Sequence, residues 1–251
     1  MFNFFVENGS REGDRYVIAG ADFNHIKNVL RMKTGEKLLV SDGGTSHLCS
    51  IEEYSEETVT VSVLEENYND TELPVKIYLF QGLPKGDKLE LIIQKAVELG
   101  VHEIIPVEMS RSVVKIEDKK RKSKQERWQA IAESAAKQSK RNVIPVVHEA
   151  TSYKRAMELA KSLDVFAVPY ENKDGMKATA ECLERIKGAE SVGILIGPEG
   201  GFDEREVDMA LEANGAVISL GKRILRAETA AITAVSAVML YIEMNCMEEI
   251  V

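Results

Sequence analysis

Val192 to Phe202 reads VGILIGPEGGF and Ala216 to Ala234 reads AVISLGKRILRAETAAITA, and the fold is decided by these two stretches. Val192 to Ile196 has the length and composition of a buried parallel strand, with no polar alternation. Gly197, Pro198, Glu199, Gly200 and Gly201 then form a turn rich in glycine, which permits close backbone approach and positive φ. Asp203 with Glu206 three residues on has the form of a capping box, so a helix opens there. The pattern repeats, with a strand over Ala216 to Leu220, a loop over Gly221 to Arg226 and a long helix from Ala227. One such loop is an ordinary αβ connection. Two in succession, on strand ends expected to be adjacent, mark the edge where an α/β sheet binds its ligands. The second loop also carries Lys222, Arg223, Arg226 and Glu228, more charge than a plain connection needs.

Outward from there, the chain divides at Pro74, after a polar, acidic run with no apolar periodicity. Residues 74–251 alternate strand and helix, which gives a mostly parallel sheet covered on both faces. Asp87 with Glu90 is expected to cap a helix ending at Leu99, and a later helix is expected from Lys124 to Ser139. In it, Trp128, Ile131, Ala132, Ala135 and Ala136 share one face, so Trp128 reads as core. Residues 1–73 are strand-rich with one helix, Asp22 to Met32, capped by Asp22. Short strands of this kind suggest a small closed or nearly closed barrel.

GPEGGF followed by LGKRILRAETA resembles the C-terminal signature of SPOUT methyltransferases, and more closely that of the RsmE family, which methylates N3 of a uridine in 16S ribosomal RNA. HIKNVLRMKTGEKLLVSDG (His25 to Gly43), LPKGDKLELIIQKAVELG (Leu83 to Gly100), the Arg111-Ser112 pair and the Trp128 to Arg141 helix are similar to further blocks of that family. The resemblance therefore spans nearly the whole chain. It implies a PUA-like RNA-docking barrel over 1–73 and, over 74–251, a domain that binds S-adenosylmethionine and carries a C-terminal trefoil knot. It also implies a homodimer in which a residue such as Arg111 acts in trans, and the assembled small subunit as substrate. By resemblance, the cofactor contacts fall on Leu195, Ile196, Gly197, Glu199, Gly200 and Gly201, and on Leu220, Gly221, Arg223, Ile224 and Leu225.

Methyl transfer to N3 needs the Watson–Crick edge exposed, a group to stabilise the developing anion and a proton acceptor. Arg226 is the candidate for the charge, and Glu199 or Glu228 for the proton if burial raises its pKa. Glu228 has a second reading, as an acid at the positive end of a helix dipole. Arg11, Arg15, Lys27 and Arg31, with Lys33 and Lys37, are candidates for RNA docking, as are Lys85, Arg111, Lys137 and Arg141. Net charge is −9, yet Arg111 to Arg141 holds eleven Lys or Arg against four Asp or Glu, a local +7 that suits phosphate.

Rival chemistries find little support. Gly215 to Lys222 has one residue too many for a P-loop, and Arg223 stands where Ser or Thr is required. No GxGxxG or GxSxG is present. Three scattered cysteines and four scattered histidines argue against a disulfide framework and against a metal site. The start, MFNFFVENGSREGD, does not read as a signal peptide, and Ala230 to Ile242 is short for a bilayer span of about 20 residues, so a cytoplasmic location is expected. Two alternatives stay open: a noncatalytic RNA-binding assembly factor, and a SPOUT enzyme acting on a ribose 2′-hydroxyl or a tRNA base.

Overall fold

The computed structural model describes residues 1–6, 10–170 and 175–246. They form two compact units, one of residues 1–72 with 136–144, the other of 73–135 with 145–251. The second stretch of sequence is thus interrupted: 136–144 packs with the first unit, which no composition change signals.

The first unit contains β1 (Asn3–Phe5), β2 (Arg11–Glu12), β3 (Arg15–Ala19), α1 (Gly20–Asn24), a π-helical turn at His25–Val29, β4 (Lys37–Asp42), β5 (Thr45–Tyr54) and β6 (Thr58–Glu65). The sheet order is β1-β4-β5-β6-β3-β2, antiparallel except for β1 on β4. β1 and β2 end this ladder, so it is not closed by hydrogen bonds as a full barrel is. It is nevertheless curled, because Phe4 of β1 shares one buried cluster with Tyr16 and Ile18 of β3 and with Ile26, Leu38, Val40, Ile51 and Val61. Register shifts at Leu48/Cys49 and Ile51/Glu53 give β5 the extra twist such coiling needs. The single helix expected over Asp22 to Met32 is broken into α1 and the π turn. Asp22 caps nothing and instead accepts from Lys137 Nζ at 2.8 Å.

The second unit contains β7 (Lys76–Gly82), α2 (Lys88–Glu98), β8 (Val101–Glu108), α3 (Asp118–Ser139, its last turn in the first unit), β9 (Val146–Val147) and β10 (Thr151–Ser152). It continues with α4 (Tyr153–Ala160), β11 (Val165–Pro169), α5 (Met176–Glu184), β12 (Ser191–Ile196), α6 (Glu204–Glu212), β13 (Gly215–Ile218) and α7 (Ala227–Asn245). The sheet order is β10-β8-β7-β12-β11-β13, with β9 also on β8, and every pairing is parallel. Parallel strands bury both faces, and Val192 to Ile196 is accordingly buried throughout. One face packs Phe80, Phe166 and Leu195 against Tyr153, Met157 and Ala210 of α4 and α6. On β7 and β12 lies α7, which also packs on α2.

Trp128 is buried, and the expected core face of α3 is realised. That helix starts six residues before Lys124, in a charged stretch without apolar periodicity. Asp87 precedes α2 but makes no side-chain cap bond, and Glu90 pairs with Arg127 instead. The capping box of Asp203 and Glu206 is complete. In α7, Ala231, Val235, Val238 and Ile242 are buried core. The helix is 19 residues, longer than the Ala230 to Ile242 segment, and by length and composition it passes for a membrane span. Its buried stripe on β7, β12 and α2 marks it as a core helix of this unit.

Candidate active site

Because every strand of the second sheet is parallel, the loops after β7, β8, β12 and β13 all leave the same edge. β12 and β13 are not neighbours as their sequence suggested, since β11 lies between them. Four loops therefore supply the site: 83–87, 109–114, 197–203 and 219–226.

The three glycines of the first signature serve different purposes. Gly201 has φ of +67° and closes a turn in which its N–H donates to Pro198 O at 2.9 Å. Gly197 faces the Phe202 ring, where an added Cβ would sit 3.2 Å from Cε2. At Gly200 a Cβ would lie 2.9 Å from Arg111 Cβ and 3.0 Å from Arg111 O, so this glycine admits the loop after β8. Arg111 Nη1 donates to Gly200 O at 3.4 Å, and its Nη2 is 3.9 Å from Asp203 Oδ2. Buried Glu206 ties the same two loops together: its Oε2 accepts from Asp203 N at 2.9 Å and its Oε1 from Ser110 N at 2.7 Å. Glu206 was visible in the sequence only as half of a cap. Its second bond needs the fold.

The β13 loop is pinned by a pair that the sequence did not reveal. Buried Thr179 donates from Oγ1 to Ser219 O at 2.7 Å and accepts from Ser219 N at 3.0 Å. Ser219 Oγ in turn accepts from Gly221 N at 3.1 Å, with Gly221 at φ +105°. A threonine inside α5 carries no signal of this role, because the partner lies 40 residues away. Beyond the pin, Arg223 and Arg226 are exposed and Ile224 is 97% exposed, while Leu220 and Leu225 are half-buried. Leu195 and Ile196 are fully buried in β12, which leaves them only backbone to offer a ligand.

Glu199 does not have the character of a raised carboxyl. Burial works to raise its pKa, but the Lys88 ammonium at 2.8 Å and backbone amides, Lys85 N–H at 3.1 Å among them, outweigh it and hold the group below the usual carboxylate range. Glu199 therefore does not meet the condition set for a proton acceptor, a pKa raised by burial, and stands as an anchored anion. Glu228 lies in the first turn of α7, and its Oε2 is buried with no hydrogen-bond partner. Arg226 caps α7 by its backbone, and among the described residues its guanidinium makes no hydrogen bond or ion pair. An exposed cation there opposes the helix dipole, so local stability does not account for it.

The basic candidates separate by environment. Arg111 and Lys85 are exposed at the site edge. Arg11 pairs with Glu66, Arg15 with Glu52, and Lys27 stands 4.9 Å above the Phe23 ring, while Arg31 is exposed at φ +54°. Lys137 is bound to Asp22. Arg141 is corrected: it is 3% exposed, grips Glu72 through Nε and Nη2, and its carbonyl accepts from Asn3 Nδ2. A buried, paired guanidinium holds the first unit together and is out of reach of phosphate.

Gln81 Oε1, Ser112 Oγ and Glu228 Oε2 are buried oxygens without a hydrogen-bond partner among the described residues, at the end of β7, after β8 and at the start of α7, and Lys88 Nζ stands 3.6 Å from the last. Such a set suits a ligand that brings hydrogen-bond donors and positive charge. An open cleft of ≈ 780 Å³ is walled by Arg111, Tyr153, Lys154, Arg205 and Met209. No cluster of three or more metal-ligating side chains occurs among the described residues.

A parallel sheet with ligand loops on one edge, in a chain that also forms a separate curled antiparallel sheet, is the architecture of a two-domain RNA methyltransferase. Residues 71–239 match the RNA methyltransferase domain and residues 18–64 the RNA methyltransferase PUA domain. The chain is 40% identical over 245 residues to the ribosomal RNA small subunit methyltransferase E of Bacillus subtilis, covering 95% of this chain and 96% of the relative. The corresponding crystal structure from Neisseria gonorrhoeae, bound to S-adenosyl methionine, superposes with a TM-score of 0.81 at 29% identity, covering 96% and 97% of the two chains. A putative methyltransferase from Legionella pneumophila, in complex with the same cofactor, gives 0.79 at 30%, covering 95% and 96%. The chain belongs to the RsmE family of ribosomal RNA small subunit methyltransferases.

Proposed function

We propose that this chain transfers a methyl group from S-adenosylmethionine to N3 of a uridine in 16S ribosomal RNA. The observation that carries the reading is the convergence of four loops on one sheet edge, with buried oxygens that lack hydrogen-bond partners and an Arg226 that pairs with no anion among the described residues. The cofactor, when bound, supplies an electrophilic methyl. Loops 197–201 and 220–225 would hold it, chiefly through backbone, and the oxygens of Gln81 and Glu228 that lack hydrogen-bond partners would suit its donors and its charge. Orientation then carries much of the rate, since the methyl must lie in line with N3. The guanidinium of Arg226 stabilises negative charge spreading to the uracil carbonyls as N3 attacks. Glu228 is the carboxylate that takes the N3 proton, because Lys88 stands 3.6 Å from it, beyond the hydrogen bond that holds Glu199 at 2.8 Å.

The PUA-like unit and Arg111 dock the RNA in this reading, with the assembled small subunit as substrate. We also propose a cytoplasmic homodimer and a knotted path for the segment leading into α7, which runs from the sheet-edge strand β13 back to β7 and β12. Light scattering tests the dimer.

The decisive experiment incubates small subunits lacking the modification with the protein and labelled cofactor, then maps the label. N3 methylation blocks the pairing edge, so reverse transcription should stop at one uridine. Label on a nucleotide that reverse transcriptase reads through would favour ribose methylation and overturn the N3 assignment. Arg226→Ala is expected to lower kcat on the order of 10²-fold with cofactor affinity little changed.

A further inference from the structure

Lys88 is the first residue of α2, where the helix dipole presents its positive end. An ammonium there is unfavourable unless anions answer it. Two do. Its Nζ lies 2.8 Å from Glu199 Oε1 and 3.6 Å from Glu228 Oε2. These carboxylates come from different segments: Glu199 from the loop after β12, Glu228 from the first turn of α7. The three side chains are 35%, 29% and 16% exposed, so water screens the charges less than on an open face. Lys85 N–H adds bonds to both Glu199 oxygens from the same end of α2. The Glu199 hydrogen bond, helped by the charges of Glu199 and Glu228, raises the Lys88 pKa. Among the described residues Lys88 is the one cation within ion-pair distance of Glu228.

An isolated surface ion pair would contribute little. A single ammonium shared between two loops, at a helix end that disfavours it, is a tie between segments far apart in sequence. We infer that Lys88 is a positioning residue of the cofactor site, holding the glycine loop of 197–201 and the start of α7 against α2 so that both ligand loops close on one molecule. This rests on the reading of those loops as an S-adenosylmethionine site.

Calorimetric titration of S-adenosylmethionine into wild type, Lys88→Met, Lys88→Arg, Glu199→Gln and the double variant Lys88→Met/Glu199→Gln tests it, with Tm recorded for each. The expected result is at least about tenfold weaker binding for Lys88→Met, a similar loss for Glu199→Gln, recovery of most affinity in Lys88→Arg, and no further loss in the double variant. Tm should move by no more than about 3 °C, so that lost affinity is not lost fold. Binding within about twofold of wild type for both Lys88→Met and Glu199→Gln, or fully additive losses in the double variant, overturns the tie. Should Lys88→Met fail to fold, Glu199→Gln and Lys88→Arg decide alone. A folded wild type that takes up no cofactor overturns the functional reading and this inference together. A wild type that binds while the variants bind equally well overturns only the inference.

Discussion

Arg141 and Arg226 are the same residue type in equally basic surroundings, and their environments give them opposite work. Arg141 is buried against Glu72, whose carboxylate also accepts from Asn142 N at 2.9 Å. Removing one partner of a buried pair leaves the other charge desolvated, which costs about 3 kcal/mol at the lower end of the usual range, fitting here because Glu72 is not fully enclosed. Arg141→Met should therefore lower the denaturation midpoint of the first unit while leaving the RNA affinity of the folded fraction unchanged. An intact stability with weakened RNA binding would return Arg141 to the docking surface. Arg226, exposed and unpaired among the described residues, should show the reverse pattern, a kinetic defect without a stability defect.

At the scale of the element, the ligand loops depend on how closely they approach one another. Gly200 is fixed by the backbone of Arg111, and neither partner is the end of a flexible side chain. Gly200→Val must push the loop after β8 away from the loop after β12. Cofactor affinity should fall by more than about tenfold, with far-UV circular dichroism unchanged. Undiminished affinity in that variant would mean the two loops move independently and that their contact is incidental. The capping box of α6 and the core stripe of α7 were legible from sequence because both are local patterns of three or four residues. The interruption of Asp22 to Met32 by a π turn was not, since the apolar spacing Phe23, Ile26, Leu30 fits either geometry. The missed cap on α2 has the same origin: Glu90 finds a better partner in Arg127, an arginine 37 residues away.

For the molecule as a whole, the core of the first unit predicts an alkaline limit. Burial pushes the Cys49 thiol from 9.0 up to about 12, with Arg11 opposing. Burial likewise raises the Tyr16 hydroxyl from 10.0 to about 12, opposed by Arg11 and helped by Asp42. Both groups are neutral in the fold and ionise more readily once unfolded. The stability they confer is complete below about pH 9 and is lost as pH rises toward 12. Urea midpoints measured at pH 8 and pH 10.5 should fall, and Tyr16→Phe with Cys49→Ala should flatten that fall. An equal fall in the double variant would assign the limit to other groups, lysines among them.

The sequence by itself determined the α/β alternation, the parallel buried strands, the two glycine loops and the family, because each rests on residues that are neighbours or nearly so along the chain. Periodicity, caps and turn glycines are local, and they survive being read in one dimension. Tertiary structure alone decided that β11 separates β12 from β13, that residues 136–144 belong with the first unit, and that Thr179 pins Ser219. It also decided that Glu199, the carboxylate most prominent in the motif, is answered by Lys88 and by the Lys85 amide. The physical reason is the same in each case: a charge or hydroxyl takes its role from what surrounds it, and those surroundings arrive from distant parts of the chain.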